Sequence, residues 1–189
     1  MLTDKVALRR TFLEQRHLMS LEDRLAANQS VLQQLMDLKE LQLAHKVFLY
    51  LSFGDEVDTH KLMATCISMG KSVYAPRIEK HRRMAFYPVS DLSTCRPNPW
   101  GILEPTGEDA VYPDKTSVII VPMVGFDITC QRIGYGGGYY DTYLGLIDEA
   151  IPRIGIAYAC QGIERLFQLE DYDHPLHKVV TEQMIYIRK

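Results

Sequence analysis

The chain lacks any close cysteine pair. Its four cysteines, Cys66, Cys95, Cys130 and Cys160, are scattered singly, which excludes a Cys-x-x-Cys zinc module and a disulfide framework and fits a reducing compartment. Long apolar runs are also missing. The longest, residues 118–126, is far too short to span a membrane and contains Pro122. Charge of one sign is scarce: the net charge is −3 and the pI about 6.1. No basic field therefore draws the protein to nucleic acid or anionic lipid, and any anion site has to be local. The amino-terminal stretch carries Asp4, Lys5, Arg9 and Arg10 in place of an apolar signal core. There is no repeat, low-complexity tract, Walker-type GK[ST] ending or glycine-flanked serine elbow. These absences predict a cytoplasmic monomer with small-molecule partners, no nucleic acid and no membrane.

What is present reads as one domain over residues 1–189, long enough to bury a core. The first forty residues look helical. Lys5, Arg9, Phe12 and Arg16 recur at helical spacing, as do Leu25, Asn28, Leu32 and Leu35, and Ser20 can cap the second helix. The period then changes. Short apolar runs predict strands at 47–51, 72–75 (stopped by Pro76), 84–87, 118–121 and 153–158, with a last one within 179–187. Helices are predicted at 59–69, capped by Thr59, and at 139–149. Residues 91–114 hold Pro97, Pro99, Pro105, Pro113, Gly101 and Gly107 and read as a long, functional loop. Strands alternating with helices predict an α/β domain with a largely parallel sheet. Loops after Leu51, Ala75, Val121 and Tyr158 should then converge on one site beyond the carboxyl ends of the strands.

The densest local signal is RIGYGGGYYD at residues 132–141. Gly134, Gly136, Gly137 and Gly138 cost backbone entropy that needs a reason. One reason is an anion nest of inward-pointing N–H groups ahead of a helix N-terminus. Arg132 adds a planar fork suited to phosphate oxygens. Asp141, in the first helical turn, can favour that terminus or hold Mg²⁺ beside a phosphate. The bland alternative is a flexible turn with a capping Asp. Lys5 and Arg9 share a helix face that could clamp phosphates or simply be solvated. Glu56 could pair with N–H groups of a heterocycle or act as a loop cap. Trp100, the lone tryptophan, could stack on a flat ligand or plug the core edge. His174 and His177 are separated by Pro175, which argues against a tight zinc site; Asp173 is the more plausible contributor to a water-rich Mg²⁺ site.

Taken together, Lys5 and Arg9, LSFGDE at 51–56, PR at 76–77, WGI at 100–102, VPMVGFD at 121–127, RIGYGGGYYD at 132–141, and Asp173 with VVTE at 179–182 resemble the 5-formyltetrahydrofolate cyclo-ligase family. The resemblance runs through nearly the whole chain. It implies a three-layer α/β/α Rossmann-like fold of the sugar-phosphate-isomerase type, and an ATP- and Mg²⁺-dependent ligase. The implied ATP site is Lys5, Arg9, Arg132, Ile133, Gly134, Tyr135, Gly136, Gly137, Gly138, Tyr139 and Tyr140. Leu51 and Glu56 are the implied folate contacts, with Phe53, Trp100, Tyr139 and Tyr140 as candidate walls for the pterin. Asp141 and Asp173 are the implied metal carboxylates, and Arg132 and Asp141 the residues expected to carry the chemistry. The implied reaction passes the γ-phosphoryl group of ATP to the formyl oxygen, after which N10 attacks and the methenyl ring closes. The family often has a basic residue in the glycine loop where this chain has Tyr135 and Gly137, and a second Asp where it has His177. The rival readings are a sugar-phosphate isomerase on the same scaffold and a non-catalytic sensor of folate or nucleotide.

Overall fold

The computed structural model describes residues 4–80, 83–164, 170 and 173–189. Helix α1 (Lys5–Leu18) starts where the Asp4 carboxylate accepts the Val6 N–H, satisfying one donor of the open first turn. Helix α2 (Leu21–Asp37) starts on Ser20, whose hydroxyl accepts the Asp23 N–H at 3.0 Å, as expected. Its buried stripe is Ala27, Val31 and Leu35, one turn apart; Leu25 faces outward instead. Helix α3 (Lys39–Leu43) follows directly.

The strands are β1 (Lys46–Phe48), β2 (Ser72–Glu79), β3 (Arg83–Pro88), β4 (Cys95–Pro97), β5 (Leu103–Pro105), β6 (Ser117–Val121), β7 (Gly125–Asp127), β8 (Arg132–Ile133), β9 (Arg153–Ile156), β10 (Gly162–Ile163), β11 (Lys178–Val180) and β12 (Ile185–Ile187). Among the described residues the main sheet runs β12-β11-β9-β6-β1-β2-β3. Its five central strands are parallel and both edge strands antiparallel. Side chains alternate across it. Val118 and Ile120 enter the core beneath α2, α3 and helix α4 (His60–Ser68). Ile119 and Val121 enter the opposite core with Tyr143 and Leu144 of helix α5 (Tyr139–Leu144). That is an α/β/α sandwich around a mostly parallel sheet, as expected.

Several local expectations need correction. Pro76 does not stop β2, because past Tyr74 the strand has no partner on its β1 side and a missing N–H costs no ladder bond there. Thr59 precedes α4, but its hydroxyl is buried and donates to Tyr50 O at 2.6 Å; the Asp58 carboxylate takes the His60 N–H instead. The run at 179–187 is a hairpin of two strands. Helix α5 has six residues and not eleven: Gly145 ends it, and the buried Arg153 guanidinium donates to Leu144 O and Ile147 O, satisfying the terminal carbonyls. The loop at 91–114 contains the β4–β5 hairpin and is fastened to β2 by Arg77, which donates to Pro105 O and Gly107 O.

Candidate active site

The site is assembled at the carboxyl ends of β1, β2 and β6. Helix α1 lies over it because Phe12, 2% exposed, packs with Val124 and Ile133. Its ring rests on Gly125 so closely that a Cβ there would sit 2.2 Å from it. This docking aims Lys5 and Arg9 toward the glycine segment. Arg9 Nε donates to Gly134 O at 2.7 Å, and Lys5 Nζ is ion-paired with Asp173.

In the glycine segment, Gly136 (φ 95°) and Gly138 (φ 73°) are left-handed, which L side chains rarely accept. Left-handed residues on either side of Gly137 turn successive N–H groups toward one side, which is how a nest is built. With α5 only six residues long, fixed N–H groups and not a long macrodipole are what this segment offers an anion. Arg132 is 6% exposed, and its Nη2 donates to Asp141 Oδ1 at 2.5 Å. Its Nε and the hydroxyl of Tyr140 are buried without a partner among the described residues. A buried group left without a partner costs about 1–3 kcal/mol, and these two face the cavity. Burial also pushes the Tyr140 phenol far up.

Opposite stands Glu56. Its Oε2 accepts the Phe53 N–H at 2.8 Å and its Oε1 accepts the Tyr135 hydroxyl. Burial raises the Glu56 carboxyl above the usual range, with Tyr135, the Phe53 N–H and Arg16 pulling the other way. Tyr158 braces the loop from behind: its single hydroxyl proton has two acceptors in reach, Asn28 Oδ1 at 2.9 Å and Glu56 O at 3.3 Å. Trp100 stands 62% exposed on a turn that Asn98 builds by accepting the Trp100 and Ile102 N–H groups.

Lys5, Arg9, the glycine segment, Glu56 and Trp100 all face one cavity of about 710 Å³. It is lined by Lys5, Arg9, Tyr50, Leu51, Glu56, Pro76, Ile78, Met84, Asn98, Trp100, Ile102, Leu103, Glu104, Pro122, the whole of residues 132–141, and Asp173.

Residues 2–182 match a family model described as the 5-formyltetrahydrofolate cyclo-ligase family. This chain belongs to that family. The cyclo-ligase of Escherichia coli K12 is 30% identical over 181 residues, covering 92% of this chain and 97% of that protein. The one from Haemophilus influenzae is 31% identical over 161 residues, covering 82% and 85%. Among solved structures, the NMR structure of Aquifex aeolicus 5,10-methenyltetrahydrofolate synthetase superimposes with a TM-score of 0.85 at 31% identity, covering 97% of this chain and 92% of that one. Membership makes the chain a ligase of folate chemistry, in place of the isomerase and sensor alternatives.

The cavity of this cyclo-ligase family member gathers nearly every residue singled out from sequence. Phe53 is the exception: it lies in an adjoining groove with Arg16, His17, Arg24, Gly54 and Asp55, which shares Glu56, Ile102 and Tyr135 with the cavity. The loops after β1 and β6 converge as expected, but no loop follows Ala75: Pro76 and Ile78 line the cavity from within β2, and among the described residues those at 159–164, just after Tyr158, do not line it. His177 is structural, its Nδ1 accepting the Arg153 N–H at 3.1 Å. The thiols of Cys66 and Cys130 are buried and pushed up to about 11, which suits spectators. Sequence reasoning missed Asn98, Ile102 and Glu104, whose one signal was the Pro-rich loop around them. It also missed Arg16 as a partner of the site, since that residue reads as one more cation on an amphipathic helix.

Proposed function

We propose that the chain catalyses the ATP-dependent closure of 5-formyltetrahydrofolate to 5,10-methenyltetrahydrofolate, with release of ADP and phosphate. The observation that carries this reading is that two unlike sets of groups line one cavity: the cations Lys5, Arg9 and Arg132 with the glycine segment, and the Glu56 carboxylate with Trp100.

An amide oxygen is a poor leaving group, and phosphorylation cures that. The γ-phosphoryl group passes from ATP to the formyl oxygen, releasing ADP, N10 attacks the formyl carbon and gives up its proton to phosphate or solvent, the C–O bond breaks, and the former formyl oxygen departs in phosphate. The protein's task is positioning and charge neutralisation. Lys5, Arg9 and the backbone of residues 134–138 hold the phosphates. Glu56 offers carboxylate acceptors to the N–H groups of the pterin, while Leu51, Trp100 and Tyr140 wall it in. Arg132 keeps Asp141 oriented and can turn a donor toward the transferring group.

Asp141 and Asp173 suit Mg²⁺. They are hard oxygen donors on the nest side of the cavity, and each now answers a cation, Arg132 and Lys5 respectively. Among the described residues no group of three or more His, Cys, Asp or Glu could hold a metal. That fits an ion that takes one or two carboxylates and completes its shell with water and phosphate. Bound there, it would neutralise phosphate charge.

The test is to mix purified protein with ATP, Mg²⁺ and 5-formyltetrahydrofolate. Methenyl absorbance should rise together with ADP. Folded protein that forms no product, or forms it equally well without ATP, overturns the proposal.

A further inference from the structure

Tyr135 sits within the glycine segment, yet its hydroxyl turns away from the nest. It donates to Glu56 Oε1 and accepts from Arg16 Nη1 at 3.0 Å. Arg16 is 5% exposed and is itself fixed by Asp55, with Nε and Nη2 at 2.8 and 2.7 Å from Oδ1. The guanidinium also lies 5.8 Å from the centre of the Tyr135 ring. Three elements are thereby tied together: α1, the loop after β1, and the glycine segment.

The direction of this chain is set by chemistry. Guanidinium has no acceptor, so Arg16 can only donate to the phenol oxygen. The one phenol proton is then committed to Glu56. A carboxylate has about four acceptor sites. Tyr135 occupies one on Oε1 and the Phe53 N–H one on Oε2. The carboxylate cannot rotate without breaking one of these bonds. Its remaining lone pairs are presented at a fixed angle, which is what a flat heterocycle with adjacent N–H donors needs for paired recognition.

We infer that Tyr135 is a positioning residue for Glu56, backed by Arg16, and serves the folate end of the cavity although its neighbours serve the nucleotide end. This rests on the reading of Glu56 as the folate carboxylate.

The test is Tyr135→Phe, which keeps the ring and removes the hydroxyl. Steady-state kinetics should show KM for 5-formyltetrahydrofolate rising about tenfold, the scale of one lost hydrogen bond to a charged group. KM for ATP should stay within about twofold. In a Glu56→Gln background the same change should add less than about twofold, because a residue acting through Glu56 has nothing left to position. A rise in KM for ATP alone, no change in either constant, or full multiplication of the two effects would each overturn the inference. If the wild-type protein binds folate but does not turn it over, the proposed function fails and this inference is still decided. Quenching of Trp100 by 5-formyltetrahydrofolate then compares wild type with Y135F: about tenfold weaker binding supports it, and equal binding overturns it.

Discussion

At the scale of single residues, the site is a set of charges that already have partners. Arg132 answers Asp141 and Lys5 answers Asp173, so each carboxylate read as a metal ligand is held by a cation read as a phosphate ligand. Asp141→Asn separates the chemical role from the structural one. It leaves a buried guanidinium with a neutral partner, a stability loss of about 1–3 kcal/mol. Turnover should fall more, by about 10²–10³-fold, the usual scale for losing one preorganised electrostatic contact. Urea unfolding and kcat measured on the same preparation compare the two; turnover within about threefold of wild type contradicts the role. The glycines were legible in sequence because so dense a run needs a reason, whereas Glu56 and Asp173 gained their roles from the family resemblance and not from their local sequence. The Arg16–Tyr135–Glu56 chain was not legible. Its members lie 119 and 79 residues apart and join only through the docking of α1.

At the scale of elements, α1 is the part of the site with the fewest ties to the sheet. It carries Lys5, Arg9 and Arg16, and its anchor is the small cluster of Phe12, Val124 and Ile133. Phe12→Ala removes that anchor, a truncation that costs about 3–5 kcal/mol when a core cannot collapse around it. Helix α1 packs chiefly against the Ala159–Gln161 turn and β7 rather than against β6 or β9, so the loss should be local. Hydrogen exchange should quicken across α1 and leave β6 and β9 protected, while KM for ATP rises. Equal loss of protection in all three would show α1 to be part of the global unfolding unit. Element scale is also where sequence reading succeeded and failed most plainly. β6 was visible as an unbroken apolar run, as a strand buried on both faces must be. The small sheet β10-β7-β8 was invisible, since strands of two or three residues carry no period. The extent of α5 was misread because a distant guanidinium, that of Arg153, caps its carbonyls.

At the scale of the whole molecule, ion pairs around the perimeter fix the pH response. Burial alone would push the Glu40 carboxyl up, but Lys178 on β11 donates to it and holds it below the usual range. The Tyr87 hydroxyl and then Arg77 lower Glu79, and Lys46 with Thr116 lowers Asp114. A carboxyl lowered in the folded state stabilises it above the unfolded value, about 4, and that stabilisation is lost as pH falls through the folded value. Glu56, raised by burial, has the opposite sign and loses its contribution as pH rises through its folded value. Asp91 is lowered too, by the Ser93 N–H and hydroxyl. With four carboxyls lowered against one raised among the described residues, the urea midpoint should decline as pH drops from about 5 toward 3. Glu40→Gln should flatten that decline. A midpoint that rises on acidification, or a Gln variant with the wild-type slope, contradicts the assignment. In the described residues no helix is long and apolar enough to cross a membrane. The α/β class was readable at this scale because alternating strands and helices leave few topologies.

If one cavity brings a phosphoryl donor to the formyl oxygen, that oxygen must end in phosphate. The most direct measurement follows that oxygen. 5-Formyltetrahydrofolate labelled with ¹⁸O in the formyl group is converted in the presence of ATP and Mg²⁺, and the released phosphate is analysed by mass. The label is expected in phosphate, one atom for each methenyl group formed. Label released to water, with unlabelled phosphate, would contradict it.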